Sequence, residues 1–180
     1  MQRIAILGPC GSGKSTLAIN LSAITGLPLI HLDQEFHLPN WVERTDEEWS
    51  NIHAKLISKK NWIIDGNYSR NVGARLKRAN MVILFDMPTW LCLYRVIKRV
   101  IINNGRVRAD SAIGCRERID LDFLLYVFNF RRTQLAKTLK LIEQRPKNTE
   151  LIIVKSNKDL QKIYQRYILN SKQGRNYQTG

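Results

Sequence analysis

The chain has 180 residues, 44% hydrophobic and 24% charged, a balance that suits one folded core and excludes a fibrous or disordered chain. It carries 29 Lys and Arg against 15 Asp and Glu, a formal net charge of +14. That charge admits two readings, arginines that handle small phosphate ligands or a basic surface for a polyanion, and the first is expected here. No apolar run approaches the ~18 residues of a membrane span, so no membrane contact is expected. Cys10, Cys92 and Cys115 are odd in number and form no C-x-x-C pair, which argues against a disulfide framework or a zinc site. The first apolar run begins at Ile4, leaving no room for a leader, and the expected compartment is the cytoplasm.

In chain order, Ile4-Ala5-Ile6-Leu7 reads as a buried strand. Directly after it comes Gly8-Pro9-Cys10-Gly11-Ser12-Gly13-Lys14-Ser15-Thr16, which meets every fixed position of G-x-x-x-x-G-K-[ST]. Leu17, Leu21 and Ile24 then recur at helical spacing until Gly26. Strand, glycine loop and helix are what this motif requires. The glycines let backbone N–H groups turn inward around a polyphosphate, and the helix N-terminus adds partial positive charge. Lys14 is placed to reach the β- and γ-phosphates, and Ser15 to offer its hydroxyl to Mg²⁺. The segment therefore predicts a nucleoside-triphosphate site over residues 8–16, with ATP and Mg²⁺ as cofactors.

Further strands are expected over 28–32, 62–64, 81–85 and 151–154. Phe36-His37-Leu38-Pro39-Asn40-Trp41 reads as a proline-containing loop that either lines an acceptor pocket or packs over the sheet edge. Thr45 and Glu48 form a capping box, followed by Trp49, Ile52, Leu56 and Ile57 on one helical face. Other helices are expected from Thr89 to about Asn103, from Glu117 to Glu143, and around Leu160, Ile163, Tyr164 and Tyr167. Residues 171–180 show no periodicity and are expected to fray. Strands alternating with helices predict a three-layer α/β domain, a five-stranded parallel sheet with helices on both faces.

In such a sheet, ligands sit outside the carboxyl ends of the strands. Asp33, Asp65 and Asp86 close three of them. A carboxylate there can hold Mg²⁺ or accept a proton from an attacking hydroxyl, and aspartate also suits a plain loop start. Metal or catalytic roles are expected for Asp33 and Asp65, and a structural one for Asp86 before Met87-Pro88. Basic residues crowd Arg95, Lys98, Arg99, Arg106, Arg108, Arg116 and Arg118. Arg95 and Arg99 share a helix face and are expected on the nucleotide. Arg106 and Arg108 lie in a polar stretch that suits a closing lid over about 100–118, with an acceptor-binding insert over about 34–60. His31, His37 and His53 have no partner ligands at metal spacing.

These pieces resemble the adenylate-kinase-related P-loop kinases, and more narrowly the bacterial "DNA topology modulation" type. The resemblance rests on residues 8–16, His31-Leu-Asp33, Trp62-Ile-Ile-Asp-Gly-Asn-Tyr68, Phe85-Asp-Met-Pro88 and Gly114-Cys115, across residues 1 to about 155. It implies that Arg95 stacks on adenine and Arg99 contacts phosphate. Asp65-Gly66 matches the start of that family's D-G-F-P-R motif, whose arginine binds the acceptor phosphate. Here Asn67-Tyr68-Ser69-Arg70 replaces Phe-Pro-Arg, with Arg70 one place late. The expected activity is transfer of the γ-phosphate of ATP to a nucleotide or another phosphorylated or hydroxylated small molecule, by a monomer or dimer. Its rivals are an ATP-regulated nucleic-acid-binding protein and an NTPase without acceptor.

Overall fold

The computed structural model describes residues 1–108, 110–117 and 120–176. Its elements in order are β1 (Arg3–Leu7), α1 (Lys14–Thr25), β2 (Leu29–His31), α2 (Leu32–Phe36), β3 (His37–Leu38) and β4 (Val42–Glu43). Then follow α3 (Asp46–Ser58), β5 (Trp62–Asp65), α4 (Ser69–Arg78), β6 (Met81–Phe85) and α5 (Thr89–Asn103). The chain continues through α6 (Leu121–Phe130), a π-helical turn (Arg131–Leu135), α7 (Ala136–Glu143), β7 (Glu150–Val154) and α8 (Asn157–Asn176).

Five strands form one sheet in the order β2-β5-β1-β6-β7, every neighbouring pair parallel. β1 is apolar without alternation because both of its sides are covered. Ala5 and Leu7 pack with α3, α4 and α7 residues such as Trp49, Val72 and Ile142. Ile4 and Ile6 pack with Leu17, Cys92 and Ile163 from α1, α5 and α8. The α/β architecture expected from the sequence is the one observed. Because all strands run the same way, Leu7, His31, Asp65 and Phe85 end at one edge of the sheet, where the loops carrying the polar residues gather.

Three boundaries differ from expectation. The second strand stops at His31, and Leu32 already belongs to α2. The helix expected from Glu117 starts at Leu121, after an Asp120 cap that accepts from Phe123 N–H, and a π turn interrupts it. Helix α8 runs to Asn176, into the segment expected to lack regular structure, while residues 177–180 and Arg118 lie outside the described residues. Helix α4 went unread because Ser69-Arg-Asn-Val-Gly-Ala-Arg-Leu-Lys-Arg78 is polar, with only Val72 and Leu76 reaching the core.

His53 on α3 is 1% exposed, and its Nε2 has no hydrogen-bond partner among the described residues. Burial, helped by the charge of Arg75, pushes its pKa down to about 4 from the usual 6.5. Between those values the unfolded chain binds a proton that the fold does not, so stability rises with pH across that window. Urea midpoints measured at pH 5 and pH 7 should differ more in the wild type than in His53→Leu. An equal difference in both would remove His53 as the cause.

Candidate active site

The glycine loop closes tightly around its own backbone. Gly8 has φ +136°, and a Cβ there would lie 2.6 Å from both Cβ and the carbonyl oxygen of Phe85. At Gly11, φ +76°, a Cβ would approach the Cys92 carbonyl oxygen to 2.4 Å. Only glycine fits either place. Lys14 opens α1 and donates from Nζ to the Pro9 carbonyl at 2.9 Å, while Arg95 of α5 donates to the Ser12 carbonyl at 3.2 Å. Residues 10–16, Asp33, Arg95, Arg99, Arg108, Asp110, Leu160 and Tyr164 line a cavity of about 370 Å³. Cys10 is half-buried there, and desolvation raises its thiol pKa against the charge of Lys14.

The turn after β5 braces this loop. Asn67 accepts from Gly8 N–H at 3.0 Å and donates from its amide to the Gly8 carbonyl at 2.8 Å. Arg75, fully buried, donates to the carbonyls of Gly66 and Asn67, both at 2.7 Å. Burial draws its pKa down to about 10, against the pull of Asp65 and Tyr68, so it stays charged at neutral pH. At the end of β5, Asp65 pairs in register with His31 of β2. His31 Nδ1 donates to Asp65 Oδ2 at 3.1 Å, since a carboxylate can only accept. Burial opposes ionisation of Asp65, but the His31 bond, the Lys14 charge and the Ser15 hydroxyl outweigh it and hold the carboxyl below its ordinary range. Its other oxygen, Oδ1, is buried with no hydrogen-bond partner among the described residues. An unsatisfied hard oxygen of this kind suits a cation such as Mg²⁺.

A second cavity, about 550 Å³, opens beside the first and shares Cys10, Asp33, Arg99 and Arg108 with it. Its walls come from the β3–β4 hairpin, from Asn67 and Tyr68, and from α6, the π turn and α7, where Phe130, Gln134 and Thr138 are each one helical turn apart. From the stretch Phe36 to Trp41, the residues Phe36, His37 and Trp41 line this cavity. The Tyr68 hydroxyl donates to Asp33 Oδ1 at 2.8 Å and orients that carboxylate. Burial and the Asp33 charge raise the Tyr68 pKa, so the phenol keeps its proton. Two residues flanking this cavity hold backbone conformations that side chains avoid, Trp41 at φ +63° and Tyr68 at φ +46°.

Residues after α5 fold back over both cavities. Val107 and Arg116 form an antiparallel bridge, and Glu117 N–H donates to the Arg106 carbonyl at 2.9 Å. Buried Glu117 lies 2.7 Å from Arg108 Nε and 3.3 Å from Arg99 Nε, as charge contacts without hydrogen-bond alignment. Two guanidinium groups therefore share one carboxylate at the junction of the cavities. Burial and the nearby Arg108 charge lower the Arg99 pKa against the pull of Glu117. The same segment grips the hairpin: Trp41 Nε1 donates to the Arg116 carbonyl at 2.9 Å, and the Cys115 thiol donates to the Leu38 carbonyl at 3.3 Å.

Residues 8 to 16 of the loop, Asp33, Asp65, Arg95, Arg99 and Arg108 are thus brought to one edge of the sheet. Arg106 is not: its side chain is exposed and lines neither cavity, because the bridge turns it outward. Arg70 is also exposed, paired with Asp46. Asp86, expected in a structural role, pairs with Arg131 at 3.2 Å and lines neither cavity. Sequence reasoning missed Asn67, Tyr68, His31 and Glu117 as site residues. The first three sit within the quoted motifs, whereas Glu117 gave no local signal, since its partners are 9 and 18 residues away.

No protein-family model matches the chain, and no curated protein does. Solved structures do. Shikimate kinase from Aquifex aeolicus vf5 aligns over 99% of this chain and 100% of its own, with 20% identity and a TM-score of 0.53. Shikimate kinase from Acinetobacter baumannii in complex with shikimate aligns over 94% of each chain, with 17% identity and a TM-score of 0.59. A gluconokinase from Sinorhizobium meliloti 1021 covers 99% of this chain and 98% of its own, with 15% identity and a TM-score of 0.51. The likeness is one of fold, that of P-loop kinases. Among the described residues, no helix is long and apolar enough to cross a membrane.

Proposed function

We propose that the chain is a Mg²⁺-dependent kinase that moves the γ-phosphate of ATP to a hydroxyl of a small molecule. One observation carries this reading: a phosphate-type cradle and a second, ligand-sized cavity meet at Asp33, Arg99 and Arg108. The smaller cavity takes ATP, with its phosphates on the loop and Lys14. Arg95, Leu160 and Tyr164 supply a cationic and partly apolar wall for the base. Ser15 and Asp65 would hold Mg²⁺, with Asp33 within the same cavity, and the ion would neutralise phosphate charge there.

Transfer at this junction needs positioning and charge more than covalent help. The acceptor oxygen bonds to the γ-phosphorus as the bond to the ADP oxygen breaks, and the acceptor proton passes to Asp33. The Tyr68 hydroxyl holds that carboxylate in place through one oxygen and leaves the other for the proton. Arg99 and Arg108 release Glu117 in favour of the migrating phosphoryl group. Neighbouring kinases on this fold support the reading, the shikimate kinases and the gluconokinase being small-molecule kinases by name. It follows the adenylate-kinase side of the sequence resemblance and leaves the topology-modulation type aside.

The test is ADP release over a panel of nucleotides, sugars, amino alcohols and hydroxy acids, with an acceptor-free control. At least one acceptor should raise ADP release well above the control and appear phosphorylated in the products. A rate that no acceptor changes would make the chain a plain NTPase. Side-chain placement separates the kinase from the nucleic-acid rival. Arg108→Gln should lower transfer roughly 10²-fold, as loss of one preorganised charge contact does, while exposed Arg106→Gln stays within about twofold. DNA retention falling in both variants, with transfer intact, would favour the rival.

A further inference from the structure

The larger cavity differs in charge from one built for an anionic acceptor. Among the described residues that line it, the cations are Arg99 and Arg108, and both also line the phosphate cradle and share Glu117. The other charged groups are carboxylates: Glu117 between the two arginines, Asp33 at the junction, exposed Glu43 on β4 and Asp120 at the start of α6. A carboxylate or phosphate on the acceptor would have to draw on the two arginines that the transferring phosphoryl group needs. Away from that junction it would meet like charge, which repels it.

The walls point the same way. Phe36 and Tyr68 lie 4.6 Å apart between ring centroids, and His37 and Trp41 5.2 Å apart, all four lining this cavity. Aromatic faces backed by carboxylates attract a positive group rather than a negative one. These walls are also preformed. Trp41 and Tyr68 have left-handed backbones, and their side chains are held, the first by the Arg116 carbonyl and the second by Asp33. Strain of this kind persists where surrounding contacts over-determine it, and it gathers at ligand sites.

Resting on the kinase reading above, we propose that the acceptor is an alcohol bearing a positively charged amine. Its ammonium sits against the aromatic wall, with Glu43 and Asp120 as countercharge, and its hydroxyl faces Asp33. The reaction is the one balanced above: ATP and the amino alcohol give ADP, the phosphate ester and a proton.

The experiment measures ADP release with saturating ATP and Mg²⁺ for four acceptor classes: amino alcohols such as phenylalaninol, uncharged diols, hydroxy acids such as phenyllactate, and sugar phosphates. Stimulation should come from the amino alcohols. In the double variant Glu43→Gln, Asp120→Asn, KM for the best of them should rise roughly ten- to hundredfold, the value of one or two charged contacts, with kcat little changed. Asparagine also caps helices, so the Asp120→Asn change spares the start of α6. Turnover confined to hydroxy acids, sugar phosphates or uncharged diols overturns the proposal and leaves the kinase reading standing. So does an unchanged KM in the variant. Absence of stimulation by these four classes overturns the proposal, and its absence also with the nucleotides and sugars of the wider panel overturns both.

Discussion

Lys14→Ala is expected to lower ATP turnover by roughly 10²–10³-fold, the loss that follows removal of one preorganised charge donor. Lys14 is 8% exposed and begins α1, and its ammonium lies against the Pro9 carbonyl within the loop. No other lysine lines either cavity among the described residues, so nothing nearby replaces it. Lys14→Arg should be nearly as damaging, because a planar fork does not fit where a compact ammonium bonds one carbonyl. The fold should survive both changes, since the core on either side of the sheet does not include this side chain. ADP release and a thermal melt on each variant decide the matter. Turnover like that of the wild type, with an unchanged melt, would remove Lys14 from the chemistry.

Gly8→Ala should act on the fold itself. The added methyl meets backbone as well as side chain of Phe85, in a strand buried on both faces, and neither can move aside. Backbone strain and overpacking each cost about 1–3 kcal/mol, so a loss of about 3–5 kcal/mol is expected. For a chain of this size that lowers Tm by roughly 6–20 °C. Gly26→Ala is the control. Gly26 is also left-handed, at φ +70°, but an added Cβ there meets nothing within 4 Å. It should cost about 1 kcal/mol, from strain alone. Equal melting shifts in the two variants would mean that the close approach to Phe85 is not what demands glycine.

How far the site was legible follows the range of each interaction. The loop could be read because its function depends on consecutive residues, each with its own backbone demand. The five strands could be read because a parallel sheet covered on both faces leaves unbroken apolar runs. Asp33 and Asp65 could be found because topology puts the ends of parallel strands together. Helix α4 was hidden by polarity, since its buried arginine serves the carbonyls of Gly66 and Asn67 rather than a hydrophobic stripe. Glu117 was hidden for a different reason. It looked like a helix start, and its meaning depends on Arg99 and Arg108 arriving from a helix and a loop that only the fold brings together. Arg106 shows the converse, a residue two places from Arg108 that the bridged lid turns to solvent.

On the kinase reading, the bonds from Cys115 and Arg116 to the β3–β4 hairpin would make the two cavities thermodynamically dependent on each other. Arg108 and Glu117 stand beside the phosphate cradle, while Cys115 and Arg116, on the same stretch, hold Leu38 and Trp41 over the larger cavity. On the kinase reading, a nucleotide that drew Arg108 from Glu117 would displace the stretch that holds the hairpin beside the acceptor. Whatever factor ATP imposes on acceptor affinity, the acceptor must impose on ATP, because the two routes to the ternary complex close a cycle. On that reading the coupling would let the chain withhold its phosphoryl group from water until both guests have arrived.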